Sequence, residues 1–223
     1  MCFDNALYKE KQVIIKEIEN YLDTATKPWS TTWADLIYRP YTNNNGITAG
    51  SMLGLASIAI KDETSNPPLI NIALTLSENI LSSNLDSVFS EDGSFTEGSL
   101  YASWSMRFFV PYIEARKKYD NYDYGELPQI KNMINWLAYE ILPTQFSPLN
   151  NIQDTLFSTY PLIRHNTYLD WAQTRYQSGI AKWIKIKQTP YYPDDIIFKD
   201  NMAIVLWSQS IQPEDINNLL SNS

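Results

Sequence analysis

The stretch that decides the fold runs Gly46-Ile-Thr-Ala-Gly-Ser-Met-Leu-Gly-Leu-Ala-Ser-Ile-Ala-Ile-Lys61, is broken by Asn66-Pro67-Pro68, and resumes as Leu69-Ile-Asn-Ile-Ala-Leu-Thr-Leu-Ser-Glu-Asn-Ile-Leu81. Met52, Leu53, Leu55, Ala56, Ile58 and Ala59 make the first half apolar almost all round, the pattern of a helix buried on most sides. The Asn-Pro-Pro break punctuates it, so Leu69 to Leu81 reads as an antiparallel partner helix. Working outward, Ala6 to Leu22 carries Leu7, Val13, Ile14, Ile18, Tyr21 and Leu22 at helical spacing, and these predict one inward stripe with Lys and Glu opposite. A Thr-, Trp- and Pro-rich loop is expected over Thr24 to Asn44, and a polar loop over Ser82 to Gly98.

Further along, Ser99 to Tyr119 reads as helix, with Pro111 expected to kink or interrupt it. Leu127 to Ile141 follows, with Pro128 suited to a first turn. Pro143 to Pro161 is irregular, His165 to Gln177 and Ile180 to Ile186 read as helical, and Ile196 to Ser208 is apolar with an ambiguous period. Helix follows helix without strand-helix alternation, which excludes a doubly wound α/β fold. The expectation is an all-α fold in one domain, residues 1–223.

Composition narrows function by exclusion. The chain has 223 residues, 44% of them hydrophobic and 19% charged, as expected of a folded protein rather than a disordered one. Seven glycines argue against a turn-rich all-β fold, while 15 Tyr and 7 Trp suit either a core or a groove that stacks flat sugar faces. The net charge of −8 speaks against nucleic acid. It also means that an anionic ligand would need a local cluster of amides and cations, for which Arg107, Arg164 and Arg175 are candidates. Cys2 and His165 are the only residues of their kinds, so a disulfide and a thiolate or multi-histidine metal site are not expected. No apolar run approaches the roughly 20 residues of a membrane span. The opening Met1 to Gln12 lacks the basic and apolar regions of a signal peptide.

Two polar stretches abut the helices. In the first, Asn43-Asn44-Asn45-Gly46 leads into the small-residue helix. One Asn there would cap the helix; three exceed what capping requires. The second, Asp92-Gly93-Ser94-Phe95-Thr96-Glu97-Gly98-Ser99-Leu100-Tyr101, reads on its own as a Gly-containing turn before a Ser-capped helix with Tyr101 and Trp104 facing the core.

Together they resemble the heparinase II/III and oligo-alginate lyase families of polysaccharide lyases. There an Asn-rich motif precedes a Gly-Leu-Ala helix, here Gly54-Leu55-Ala56, and an Asp-Gly, x-x-Glu-Gly, x-x-Tyr motif follows. Phe108-Phe109-Val110-Pro111 and Ile141-Leu142-Pro143 continue the likeness. Ala203 to Glu214 is similar to the segment where such enzymes pass into a β-sandwich, a domain that the chain as written lacks. The resemblance spans about Thr42 to Glu214.

It implies an incomplete (α/α) toroid of helix hairpins and β-elimination on a uronic-acid glycan. In that reaction a base removes the C5 proton after the adjacent carboxylate has been neutralised. By position it implies Asn44 and Asn45 as neutralising amides and Tyr101 as general base, general acid or both. Glu97, Trp104, Arg107 and His165 are candidate substrate contacts, Arg107 also being a source of the cation that Tyr101 would need. No metal or other cofactor is implied, and the partner is an acidic poly- or oligosaccharide. In alginate-lyase-like members the place of Asn45 is commonly His, so a Tyr-only mechanism is the expectation here. Residence in the periplasm or outside the cell is implied by resemblance alone. The alternatives are a non-catalytic glycan-binding domain, and an inverting glycoside hydrolase, which needs two carboxylates about 6.5–9.5 Å apart.

Overall fold

In the computed structural model, residues 8–27, 43–140 and 167–188 are described. They form α1 (Tyr8–Ala25), α2 (Asn44–Ile60), α3 (Pro67–Val88), α4 (Gly98–Asp120), a 3-10 turn (Tyr124–Glu126), α5 (Pro128–Tyr139), α6 (Thr167–Arg175) and α7 (Gly179–Gln188). Among the described residues the only strand-like pairing is an isolated bridge between Phe89 and Phe95. The fold is all-α. The segments expected to be irregular (Pro143 to Pro161) or ambiguous (Ile196 to Ser208), and most of the Thr24 to Asn44 loop, lie outside the described residues.

α2 is the organising helix, and its glycines explain why. A Cβ on Gly46 would lie 2.1 Å from the Asn84 side chain, one on Gly50 2.8 Å from Leu81, and one on Gly54 2.3 Å from the Tyr112 ring. Three glycines at i, i+4 and i+8 share one face, so α3 passes α2 without intervening side chains. The order Gly46–Asn84, Gly50–Leu81 and Gly54–Ser77 runs antiparallel. Ser77 Oγ donates to the Gly50 carbonyl at 2.7 Å across this contact. α4 returns antiparallel to α3 and therefore parallel to α2, with the N-termini of α2 and α4 side by side.

Two cores result. The larger joins α2, α3, α4, α5, α6 and α7 around Phe109, Tyr112, Ile113, Met133, Tyr168 and Trp171. The smaller packs α1 against the far halves of α2 and α3 through Ile15, Leu22, Leu53, Ile60, Ile70 and Ala73.

Several sequence expectations need correction. α1 presents Ile15, Glu19, Leu22 and Ala25 inward, with Val13, Ile14 and Tyr21 exposed. The stripe 15, 18, 22, 25 has the better helical spacing, and the expected set straddled two faces. Helix α3 continues to Val88 where a loop from Ser82 was expected, because Leu81, Leu85 and Val88 prolong its buried face. Pro111 does not interrupt α4, which runs through it from Gly98 to Asp120. Pro111 is half-buried and has no N–H to offer to the preceding turn, yet the helix continues through it.

Candidate functional site

The Asn-rich stretch begins at Asn43, whose side chain caps α2, accepting from the main-chain N–H groups of Asn45 at 3.0 Å and Gly46 at 3.2 Å. Its own N–H donates to Asn84 Oδ1 at 3.2 Å, while Asn84 Nδ2 donates to the Ile80 carbonyl at 2.8 Å. Asn84 thus seats the cap on α3.

The Asp92 to Tyr101 stretch is a tight turn followed by a helix start. Ser94 N donates to Asp92 Oδ1 at 2.9 Å, a local bond that, with the Ser94 hydroxyl, holds the Asp92 carboxyl below its ordinary pKa. Gly93 has φ 87°, and a Cβ there would stand 2.1 Å from the backbone of Met133. Phe89 and Phe95 pack edge to face at 4.8 Å beneath the turn. Asp92-Gly93 is therefore explained by backbone shape and by the close approach of α5. Asp92 is exposed and its carboxylate accepts within its own turn.

The two stretches meet at Glu97. It is the N-cap of α4 without a side-chain hydrogen bond to its own helix. Instead its carboxylate accepts from the main-chain N–H of Asn44, in the first turn of α2. A carboxylate at this place satisfies an orphan donor and sits at the positive end of the helix dipole. Eight residues on, Ser105 Oγ donates to the Asn44 carbonyl at 3.3 Å. Tyr101 lies one turn before Ser105 in α4 and is half-buried, packed against the larger core.

Of the sequence candidates, Glu97 and Asn44 are thus brought together, with Asn45 next to Asn44 in the chain and Tyr101 one turn into α4. Their accessibility differs. Asn44 is 7% exposed, whereas Asn45, Glu97 and Tyr101 are half-buried. The main-chain donors of Asn44, Asn45 and Gly46 are already taken by Glu97 and Asn43.

Trp104 is 38% exposed, not core-facing, and packs edge to face on Phe108 at 6.2 Å. Arg107 stacks over Phe108 at 5.6 Å. Six residues from Tyr101 on a helix means about 9 Å along the axis and about 120° around it, so Arg107 does not share the Tyr101 face. Arg175, expected in an anion-binding cluster, is instead held by Asp123 and by Glu126 at 3.2 Å. Arg164 and His165 lie outside the described residues.

Two features went unread in the sequence. Thr48 Oγ1, one turn beyond Asn44, is buried without a hydrogen-bond partner. Glu78 on α3 accepts from the phenols of Tyr112 and Tyr124, the latter at 2.7 Å, and pairs with Arg116 at 3.1 Å. Burial, with this carboxylate beside them, raises both phenol pKa values far above the ordinary range. No sequence signal marks Thr48. The aromatic-rich run Tyr119 to Tyr124 hinted at the second.

Among the described residues no group of three or more His, Cys, Asp or Glu is arranged to hold a metal ion, and no helix is long and apolar enough to cross a membrane. Comparison with protein-family models, curated proteins and solved structures found no match.

Proposed function

We propose that this chain is the helical part of a polysaccharide lyase acting on a uronic-acid glycan, its hairpins belonging to an incomplete (α/α) toroid. The observation that carries the reading is the bond from Asn44 N–H to the Glu97 carboxylate. It joins two polar stretches 53 residues apart and so brings together the starts of the two helices that carry Asn45 and Tyr101.

In the proposed reaction the Asn45 amide donates to the sugar carboxylate, with Asn44 shaping the turn that presents it. The charge that develops on this carboxylate as C5 loses its proton is stabilised by that donor. Tyr101, as the phenolate, takes the C5 proton, the C4–O bond breaks as the C4=C5 double bond forms, and the phenol so formed returns that proton to the departing oxygen. Glu97 orients the α2 start and meets a sugar hydroxyl. Trp104 stacks against a neighbouring sugar, and Arg107 meets a carboxylate further along the chain.

The test is a screen of acidic polysaccharides followed at the ultraviolet absorbance of the 4,5-unsaturated uronate. Tyr101→Phe is expected to lower turnover by at least 100-fold, the low end of what a general acid–base residue contributes, with glycan affinity within about twofold of wild type. Turnover that survives the substitution rejects Tyr101 as the base. A second reading, glycan binding without catalysis, draws on the burial of Asn44 and on Arg107 facing away from Tyr101. Under it, binding occurs, no unsaturated product forms, and Tyr101→Phe changes nothing.

A further inference from the structure

Between the Asn-rich stretch and the Glu97 turn the chain passes through α3, and one side chain of α3 is built into the contact between them. Asn84, near the end of that helix, is 3% exposed. Both ends of its amide are engaged. The oxygen accepts from the Asn43 N–H at 3.2 Å, and the nitrogen donates to the Ile80 carbonyl at 2.8 Å. A carbonyl can only accept, so the Ile80 bond fixes which way round the amide lies and turns its oxygen toward α2. The backbone of α2 leaves room for it. A Cβ on Gly46 would stand 2.1 Å from Asn84 Oδ1 and 2.4 Å from its Cγ, so the amide fills the space that the glycine leaves.

From Asn84 one run of hydrogen bonds crosses three helices. Asn84 holds the main chain of Asn43, and the Asn43 side chain accepts from the N–H groups of Asn45 and Gly46. The N–H between them in sequence, that of Asn44, is given to the Glu97 carboxylate at the start of α4, and Ser105 Oγ returns to the Asn44 carbonyl. Neither hydrogen bond of Asn84 reaches Glu97. Any influence of one on the other passes through the main chain of Asn43 and Asn44.

We propose that Asn84 is a positioning residue of the candidate site: it sets the first turn of α2 against α3 so that the Asn44 N–H is presented to Glu97. Asn43 to Gly46 make up a single helical turn, so a rotation at Asn43 is carried to all the donors that follow it. Without the Asn84 oxygen the Asn43 N–H is a part-buried donor with no acceptor, which favours turning that segment toward water. Asn44 and Asn45 then shift relative to α4. Two motifs legible in the sequence are thereby held together by a third residue that belongs to neither. As a role in catalysis this rests on the lyase reading; as a role in the geometry of the site it does not.

Hydrogen exchange of single amides, followed by NMR on the full chain, reads this placement directly. Asn84→Leu keeps the size of the side chain and removes both polar groups. It is expected to speed exchange of the Asn44 amide roughly tenfold or more, although the acceptor of that amide is on α4, while amides of α6 stay within about twofold. Asn84→Asp keeps an oxygen for Asn43 and is expected to return Asn44 to within about threefold of wild type, a rescue that lost packing alone would not give. Glu97→Gln loosens Asn44 as well, and adding it to Asn84→Leu is expected to bring less than about twofold more, because both act on one bond. If Asn84→Leu does not fold, Gly46→Ala displaces the same amide from the α2 side and is read in the same way. Wild-type exchange at Asn44 in these variants, or effects of Asn84→Leu and Glu97→Gln that multiply, overturns the proposal. On a glycan that is turned over, Asn84→Leu is expected to lower kcat about tenfold with KM within about threefold; unchanged kcat beside faster Asn44 exchange overturns the catalytic role. A wild-type chain that forms no unsaturated product removes the lyase and leaves the exchange rates to decide the positioning.

Discussion

Asn43, Asn44 and Asn45 are adjacent and chemically identical, yet their surroundings give them separate roles. The Asn43 oxygen holds two main-chain donors of α2, the ordinary work of a cap, worth about 1 kcal/mol. Asn44 is buried beneath Glu97 and Ser105, joined to both through its main chain, and Asn45 remains half in solvent. The same first turns contain a cost. Thr48 Oγ1 is buried without a partner, and an unsatisfied buried hydroxyl costs about 1–3 kcal/mol. Thr48→Val keeps the shape and removes the polar atom, so it is expected to stabilise the fold by about 1 kcal/mol, read as a rise in the urea midpoint at constant slope. A loss of stability would mean that the hydroxyl is satisfied after all.

At the scale of elements, the α2–α3 hairpin depends on the absence of side chains at Gly46, Gly50 and Gly54. A Cβ at Gly54 would stand 2.3 Å from the Tyr112 ring and 2.5 Å from Ser77 Oγ, and Tyr112 is in turn tied to Glu78. Gly54→Ala is expected to cost about 1–3 kcal/mol, the usual penalty for overpacking, despite the better helix propensity of alanine. Chemical denaturation measures it, and an unchanged midpoint would show that Tyr112 can swing aside. This stripe was open to reading in the sequence as three glycines four apart, but hydropathy alone registers them only as small. The helices themselves were legible because long apolar periods leave little choice. Which face of α1 turns inward was not, since Val13 and Ile14 are as apolar as Ile15 and only the partner helices decide. Likewise Leu85 and Val88 extend α3 through a stretch whose serines and asparagines suggested a loop. For the site, the meeting of Asn44 with Glu97 followed from no local rule; it arises because α2 and α4 run parallel with their starts together. The position of Arg107 away from Tyr101 was legible from helix geometry alone.

Across the whole molecule, two polar clusters join elements distant in sequence, and their titration sets a pH window for stability. Asp123, before the 3-10 turn, binds Lys117 of α4 at 2.8 Å and Arg175 of α6. Partial burial would raise its pKa, but these two cations hold it below the ordinary aspartate value. A depressed folded pKa means the contribution is fully present above the unfolded value of about 3.9, and is lost as pH falls through the lower folded value. Tyr112 and Tyr124 behave oppositely. Burial and Glu78 raise their phenols, so their contribution is complete below the unfolded value of about 10 and declines as pH rises beyond it. The urea midpoint plotted against pH is therefore expected to be level between about 4 and 10 as far as these groups are concerned, and to fall on both sides. Asp123→Asn should lower the plateau and flatten the acid limb, Tyr124→Phe should flatten the alkaline limb, and neither should alter the opposite side. An acid limb equally steep with and without the Asp123 carboxylate would mean that the α4–α6 junction is held by its buried rings, Trp171 and Tyr168, with its charges contributing nothing measurable.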